Sequence, residues 1–185
     1  MSTTRNVAVI VGSPRKESLN RKVAQALIGI APTNLKLTII DIADLPHFSQ
    51  DWEADPPQNV IDFRARIKPA DAVLFVTPEY NRSVPGVLKN AIDIASRPYG
   101  EGVWLGKPGA IISASPGPTG GFGAAHHLRQ VAAAVGLAIL PQPEVYLGGV
   151  DKLIDDAGKL DERSEKFLGK FLAAFAQWID RNAQT

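Results

Sequence analysis

The segment at residues 12–20 concentrates the hydrogen-bond donors that a phosphate group needs. It carries hydroxyls at Ser13 and Ser18, a guanidinium at Arg15 and an amide at Asn20. If a helix begins here, its free N–H groups and its dipole also favour negative charge. The spacing fits neither nucleoside triphosphate hydrolases nor the usual dinucleotide fingerprint. We therefore predict one terminal phosphate, as in a mononucleotide; the alternative is a helix entry capped by Ser18.

A second polar segment combines an aromatic ring with hydrogen-bonding groups. It contains Pro78, Glu79, Tyr80 and Asn81. A flat heteroaromatic ligand needs both a ring contact and hydrogen bonds at its polar rim. The alternative is a simple turn in which Asn81 bonds to its own backbone.

A third segment, residues 115–123, is rich in glycine and begins with Ser115 and Gly117. Glycine allows the backbone to approach a ligand closely. Two alternatives remain: a degenerate dinucleotide loop, with Glu144 placed to meet a ribose, or a loop that is merely flexible.

Five short apolar runs, separated by helical patterns, position these segments. Strands are predicted at residues 7–11, 37–40, 72–76 and 110–113, with a fifth, irregular one within residues 137–147 because of Pro141 and Pro143. Such alternation predicts a three-layer α/β sandwich with a parallel sheet and helices on both faces, formed by one domain over residues 1–185. The three polar segments follow strands one, three and four, at the carboxyl edge where such sheets bind ligands.

Composition excludes several other classes. The chain has 185 residues, 20 basic and 19 acidic, so its net charge of +1 gives no general nucleic-acid footprint. With no cysteine and three histidines, disulfides, thiol nucleophiles and cysteine or histidine metal sites are not expected. The apolar run at residues 7–11 is too short for a signal peptide or a membrane span, so a cytoplasmic protein is expected.

Taken in full, the first two segments resemble those of the NADPH-dependent FMN reductases, a flavodoxin-like family, and most of all its bacterial chromate and quinone reductases. The matching stretches are Gly12-Ser13-Pro14-Arg15-Lys16-Glu17-Ser18-Leu19-Asn20 and Thr77-Pro78-Glu79-Tyr80-Asn81-Arg82-Ser83-Val84-Pro85-Gly86-Val87-Leu88-Lys89-Asn90-Ala91-Ile92-Asp93. Weaker likeness continues to about Gly149, through Gly106-Lys107-Pro108, Gly120-Gly121, His127-Leu128-Arg129-Gln130 and Pro143-Glu144.

The resemblance implies a five-stranded sheet in the order 2-1-3-4-5 and a non-covalently bound FMN reduced by NADPH or NADH. It implies that the FMN phosphate is held by Ser13, Arg15, Ser18 and Asn20. The isoalloxazine would be lined by Pro78, Glu79, Tyr80 and Asn81, with Ser115 and Gly117 on the opposite side. Hydride would pass through flavin N5 in a ping-pong sequence to a quinone or to an oxyanion such as chromate, and no side chain is expected to act as an obligatory acid or base.

Relatives form dimers or tetramers, so a homo-oligomer is expected. In some relatives an arginine and a tyrosine of the fourth helix make the tetramer contact; Gly123 and His126 stand at those places here, whereas their partner, Glu144, is retained. Arg97 is predicted to bind the 2′-phosphate of NADPH or an anionic substrate; the alternative is an exposed arginine at a helix end. A flavodoxin-type electron carrier and a nicotinamide enzyme without flavin are the competing functions.

Overall fold

A computed structural model describes residues 3–182 and shows one parallel sheet between two layers of helices. The strands are β1 (Arg5–Val11), β2 (Leu35–Ile40), β3 (Ala72–Thr77), β4 (Pro108–Ser115), β5 (Ala138–Ile139) and β6 (Val145–Gly148). The helices are α1 (Leu19–Gly29), α2 (Gln58–Ile67), α3 (Gly86–Ala95), α4 (Phe122–Ala134), α5 (Val150–Leu153) and α6 (Glu162–Asn182). Every residue of β3 is buried, as expected of a strand covered on both faces.

The strands lie in the order β2-β1-β3-β4-β5, which confirms the predicted flavodoxin-like topology. Val7 is in register with Leu37 of β2 and with Ala72 of β3, so β1 pairs on both sides. The strand order reverses between β1 and β3. The crevice at their carboxyl ends is therefore the point where this class of sheet binds ligands.

The fifth strand position is divided, which corrects the prediction of five strands to six. β5 pairs with the start of β4 at Pro108, and β6 pairs with its end from Ile112 onward. Pro141 and Pro143 lie between the two pieces and have no N–H to donate to the ladder. The chain therefore leaves the sheet there and returns to it.

Each face of the sheet has its own core. On one face α1 and α6 pack through residues such as Leu27, Phe171 and Phe175, and on the other α2, α3 and α4 pack around the buried Trp104. The long loop after β2 is held against α3, because Asn90 accepts a hydrogen bond from the Phe48 N–H and donates one to the Pro46 carbonyl, each at 2.8 Å. None of the helices between residues 3 and 182 combines the length and apolar character needed to cross a bilayer.

Candidate active site

The ends of β1 and β3 touch, so their two polar segments start side by side. A Cβ atom on Gly12 would lie 2.8 Å from the Thr77 Oγ1, which is closer than real contacts allow. Thr77 Oγ1 in turn donates a hydrogen bond to the Pro78 carbonyl at 2.8 Å. Glycine at position 12 therefore permits the close approach that forms the crevice.

The first segment ends at the start of α1, as its sequence indicates. Ser18 is the N-cap residue, and its Oγ accepts a hydrogen bond from the Arg21 N–H at 3.2 Å. Ser13 and Ser18 are both buried, whereas Arg15 is exposed. Ser18 therefore caps α1 as a hydrogen-bond acceptor, and its hydroxyl can still donate one hydrogen bond to a ligand. The positive end of α1 meets no acidic residue in its first turn.

Asn20 is anchored to the sheet by its side-chain amide. Its Nδ2 donates a hydrogen bond to the Ala114 carbonyl at 3.1 Å, which ties α1 to β4. Its Oδ1 is buried and has no hydrogen-bond partner among the described residues. An oxygen acceptor suits a ligand hydroxyl rather than a phosphate oxygen, so the site fits a hydroxyl-bearing chain with a terminal phosphate, as in FMN.

The second segment forms a tight two-residue turn. Tyr80 and Ser83 exchange backbone hydrogen bonds of 3.0 Å each, and Asn81 and Arg82 between them have φ angles of 49° and 66°. This left-handed conformation costs a residue other than glycine roughly 1–2 kcal/mol, so the surrounding structure must hold it. The Tyr80 ring is half exposed at the carboxyl edge of the sheet.

Helix α4 holds this turn at three points. The Glu79 Oε2 accepts a hydrogen bond from the Ala124 N–H at 3.1 Å, and His127 Nδ1 lies 3.0 Å from Ser83 Oγ. A Cβ on Gly123 would lie 2.9 Å from the Arg82 carbonyl oxygen. The cap of α4, Gly121, has no side chain, so the Glu79 carboxylate supplies the negative charge that this helix start favours. No local sequence pattern predicts this contact, because its donor is a backbone group 45 residues away.

The glycine-rich segment is fixed by hydrogen bonds within itself and to the end of β6. Ser115 Oγ accepts from the Gly117 N–H at 3.1 Å, and the Gly117 carbonyl accepts from the Gly149 N–H at 3.3 Å. Gly120 has a φ of 60°, and a Cβ there would lie 2.6 Å from the Tyr146 backbone. These glycines serve close packing. The Glu144 carboxylate lies 3.3 Å from Arg129 Nε and forms an ion pair with it. In the alternative of a dinucleotide loop, this carboxylate would have to bind a ribose instead.

Arg97 does not join the other predicted site residues. Its guanidinium donates two hydrogen bonds to Glu53, at 2.5 and 3.0 Å, and this pairing lowers the pKa of Glu53 and raises that of Arg97. The ten residues of α3 run back from the carboxyl end of β3, which places Arg97 about 15 Å along the helix from that edge. Its role toward a substrate or NADPH stays a prediction. The alternative, an exposed arginine at a helix end, is confirmed in its position just after α3, but the side chain is only 29% exposed because it pairs with Glu53.

A small aromatic cluster at the outer side of α4 consists of Phe122, His126 and Tyr146. The Phe122 ring centre lies 4.1 Å from that of His126 and 5.3 Å from that of Tyr146. Burial, and then the nearby Glu144 carboxylate, raise the pKa of Tyr146 to about 12, so this phenol stays protonated. Within residues 3–182 no three His, Asp or Glu side chains come together in a way that suits a metal ion.

Donors for one phosphate beside the switch point of a parallel sheet define a flavodoxin-like, mononucleotide-binding protein. The family model of NADPH-dependent FMN reductases matches residues 5–152, and the chain belongs to this family. It is accordingly an oxidoreductase that uses FMN and a nicotinamide donor.

Known proteins resemble it over nearly their whole length. It is 54% identical to a quinone reductase of Pseudomonas putida over 183 residues, which are 98% of each chain. It is 45% identical to a 2-hydroxy-1,4-benzoquinone reductase of a Burkholderia species, over 94% of this chain and 95% of the relative. Among solved structures, the NAD(P)H:(acceptor) oxidoreductase FerB of Paracoccus denitrificans superposes with a TM-score of 0.93 at 43% identity, over 98% of this chain and 100% of FerB.

Proposed function

We propose that this protein catalyses the two-electron reduction of quinones by NADH or NADPH. The observation that carries the proposal is the meeting of the β1–α1 and β3–α3 segments at the switch point, where Gly12 lies against Thr77. One segment offers donors for a phosphate, and the other offers an aromatic turn for a flat ring. The quinone reductase relatives support the choice of acceptor.

The residues of the chain would bind FMN and orient its ring. Ser13, Arg15 and Ser18 would hold the FMN phosphate together with the start of α1, and the Asn20 Oδ1, which has no partner among the described residues, would accept from a hydroxyl of the ribityl chain. Residues 78–81 would line the isoalloxazine, with Ser115 and Gly117 on the other side. Bound FMN supplies reversible two-electron transfer. We assign no side chain as an obligatory acid or base.

We propose that the nicotinamide donor and the quinone acceptor bind one after the other on the same exposed side of the flavin site. The kinetics would then follow a ping-pong pattern. Acceptors other than quinones, including the chromate oxyanion, would bind on the same side of the flavin site and be reduced there. We further propose that the protein acts in the cytoplasm as a single-domain homo-oligomer, a dimer or a tetramer, whose neighbouring subunit completes the pocket.

Anaerobic mixing of the FMN-loaded protein with NADPH or NADH tests this function. Rapid loss of the yellow flavin colour, followed by its return on addition of a quinone, is the expected result. Persistent yellow colour would instead identify a flavodoxin-type electron carrier without a nicotinamide site, and a protein that binds no FMN would refute both. The net charge of +1 disfavours the carrier, because carriers use a strong field of one sign to reach their partners.

A further inference from the structure

Arg82 extends from the turn at the carboxyl edge of the sheet. It is the second central residue of the Tyr80–Ser83 turn and directly follows residues 78–81, which we propose to line the ring. Its backbone cannot move away easily, because α4 holds the turn through Gly123 and His127. The cation is thus carried by a fixed stretch of backbone rather than by a free loop.

Arg82 makes one long contact with a carboxylate and otherwise faces solvent. Its nearest carboxylate is that of Glu79, at 3.5 Å, and Glu79 already accepts a hydrogen bond from the Ala124 N–H. The Arg82 side chain is 79% exposed, compared with 29% for Arg97 beside Glu53 and 24% for Arg129 beside Glu144. Of these three arginines, Arg82 is by far the most exposed, and only its Nη1 contacts the carboxylate, so an incoming anion can reach its other N–H groups from solvent.

Hydroxyquinones are acceptors that carry such a negative charge. A 2-hydroxy-1,4-benzoquinone is a vinylogous carboxylic acid, so it is ionised at neutral pH, whereas its 2-methoxy counterpart is neutral. Both quinones are flat rings of similar size. They differ in the substituent at position 2, whose oxygen is negatively charged in the hydroxyquinone and neutral in the methoxyquinone. A guanidinium at the edge of the ring site binds the ionised oxygen by a charge-assisted hydrogen bond.

We propose that Arg82 determines specificity by binding the anionic oxygen of an ionised hydroxyquinone; this proposal rests on the quinone reductase function above. The reaction balances as follows: the hydroxyquinone anion takes a hydride that originates from NAD(P)H and two protons from solvent. The products are benzene-1,2,4-triol and NAD(P)⁺. Arg82 binds and orients the acceptor and takes no proton in this step, since a guanidinium stays charged.

The test compares kcat/KM for 2-hydroxy- and 2-methoxy-1,4-benzoquinone in the FMN-loaded wild type, Arg82→Gln and Arg82→Lys. In Arg82→Gln we expect the hydroxy-to-methoxy ratio to fall about tenfold, which equals about 1.4 kcal/mol of lost binding in the transition state. Arg82→Lys keeps the charge and should recover much of the ratio. The ratio is the readout, because a shift of the turn that weakens the site in general lowers both rates alike and leaves the ratio unchanged.

Arg163→Gln is the matched control, because it removes the same charge from the exposed start of α6. Its ratio should equal that of the wild type. A ratio in Arg82→Gln equal to that of the wild type, with the methoxyquinone still reduced, would overturn the role of Arg82 alone. A wild-type protein that reduces neither quinone would overturn the proposed function and this inference together. The flavin spectrum of each variant verifies that FMN is still bound.

Discussion

The carboxylate of Glu79, which follows β3, accepts a hydrogen bond from the backbone N–H of Ala124 in the first turn of α4, 3.1 Å away. Only 10% of the Glu79 side chain is exposed. The contact joins the turn expected to line the flavin ring to a helix whose own cap residue, Gly121, has no side chain. Glu79 is thus a positioning residue for the turn, in addition to any contact that it makes with the ring.

Replacement of Glu79 by alanine should destabilise the FMN-free protein by about 1 kcal/mol, because the start of α4 loses its acceptor. Glu79→Gln retains an oxygen at the same place and should recover part of this loss. Urea unfolding monitored by circular dichroism measures both. Equal stabilities of the wild type and Glu79→Ala would contradict a capping role.

Gly123→Ala should weaken FMN binding, because the new Cβ would lie 2.9 Å from the Arg82 carbonyl and from the Glu79 carboxylate. The turn must move to accept it. Gly169→Ala in α6 is the matched control: a Cβ there meets nothing within 4 Å, and removal of glycine from a helix stabilises it by about 0.5–1 kcal/mol. Fluorescence titration with FMN distinguishes the two variants, and equal FMN affinities would show that the turn tolerates the shift.

Ser13→Ala should reduce the affinity for FMN more than that for riboflavin, which lacks the phosphate. Ser13 is buried in the segment that offers the phosphate donors, and its hydroxyl can donate one hydrogen bond to the phosphate. We expect the ratio of the two dissociation constants to change about tenfold, as the loss of one hydrogen bond to a charged group predicts. Calorimetric titration with each flavin measures this ratio; an equal loss for both would assign Ser13 to the structure of the loop alone.

The proposed binding of NADPH by Arg97 requires that its phosphate displace Glu53, to which the guanidinium is bound. Glu53→Gln should therefore lower the KM for NADPH, and Arg97→Ala should raise it, while the KM for NADH changes little. Steady-state kinetics with the two donors tests this. Unchanged KM values in both variants would leave Arg97 with only the structural role of holding the long loop to the end of α3.

The same ion pair predicts how stability depends on pH. The hydrogen bond from Arg97 lowers the pKa of Glu53 in the folded protein, so Glu53 stabilises the fold when the pH lies above the ordinary glutamate pKa. This contribution is lost as the pH falls through the lowered folded value. The difference in unfolding free energy between the wild type and Glu53→Gln should accordingly be constant near neutrality and shrink in acid. A difference that does not vary with pH would contradict the pairing.

The sequence predicted the sheet well because its inner strands are short, apolar and covered on both faces, as residues 72–76 are. It also placed the phosphate segment and the aromatic segment correctly relative to those strands. The division of the fifth strand could not be predicted in detail, since Pro141 and Pro143 indicate irregularity without fixing where pairing resumes. The pairing of Arg97 with Glu53 and of Glu79 with the Ala124 backbone depends on tertiary packing, which leaves no local pattern in the sequence.

The hydrogen bond from the Gly149 N–H to the Gly117 carbonyl has a consequence for how the protein is made. The segment that we propose to close one side of the pocket is supported by the end of β6, which is synthesised only after about four fifths of the chain. A growing polypeptide that ends before Val145 contains the phosphate segment and the aromatic turn but lacks this support. We therefore expect FMN to bind late in biosynthesis, and a translation product that ends before Val145 to be colourless.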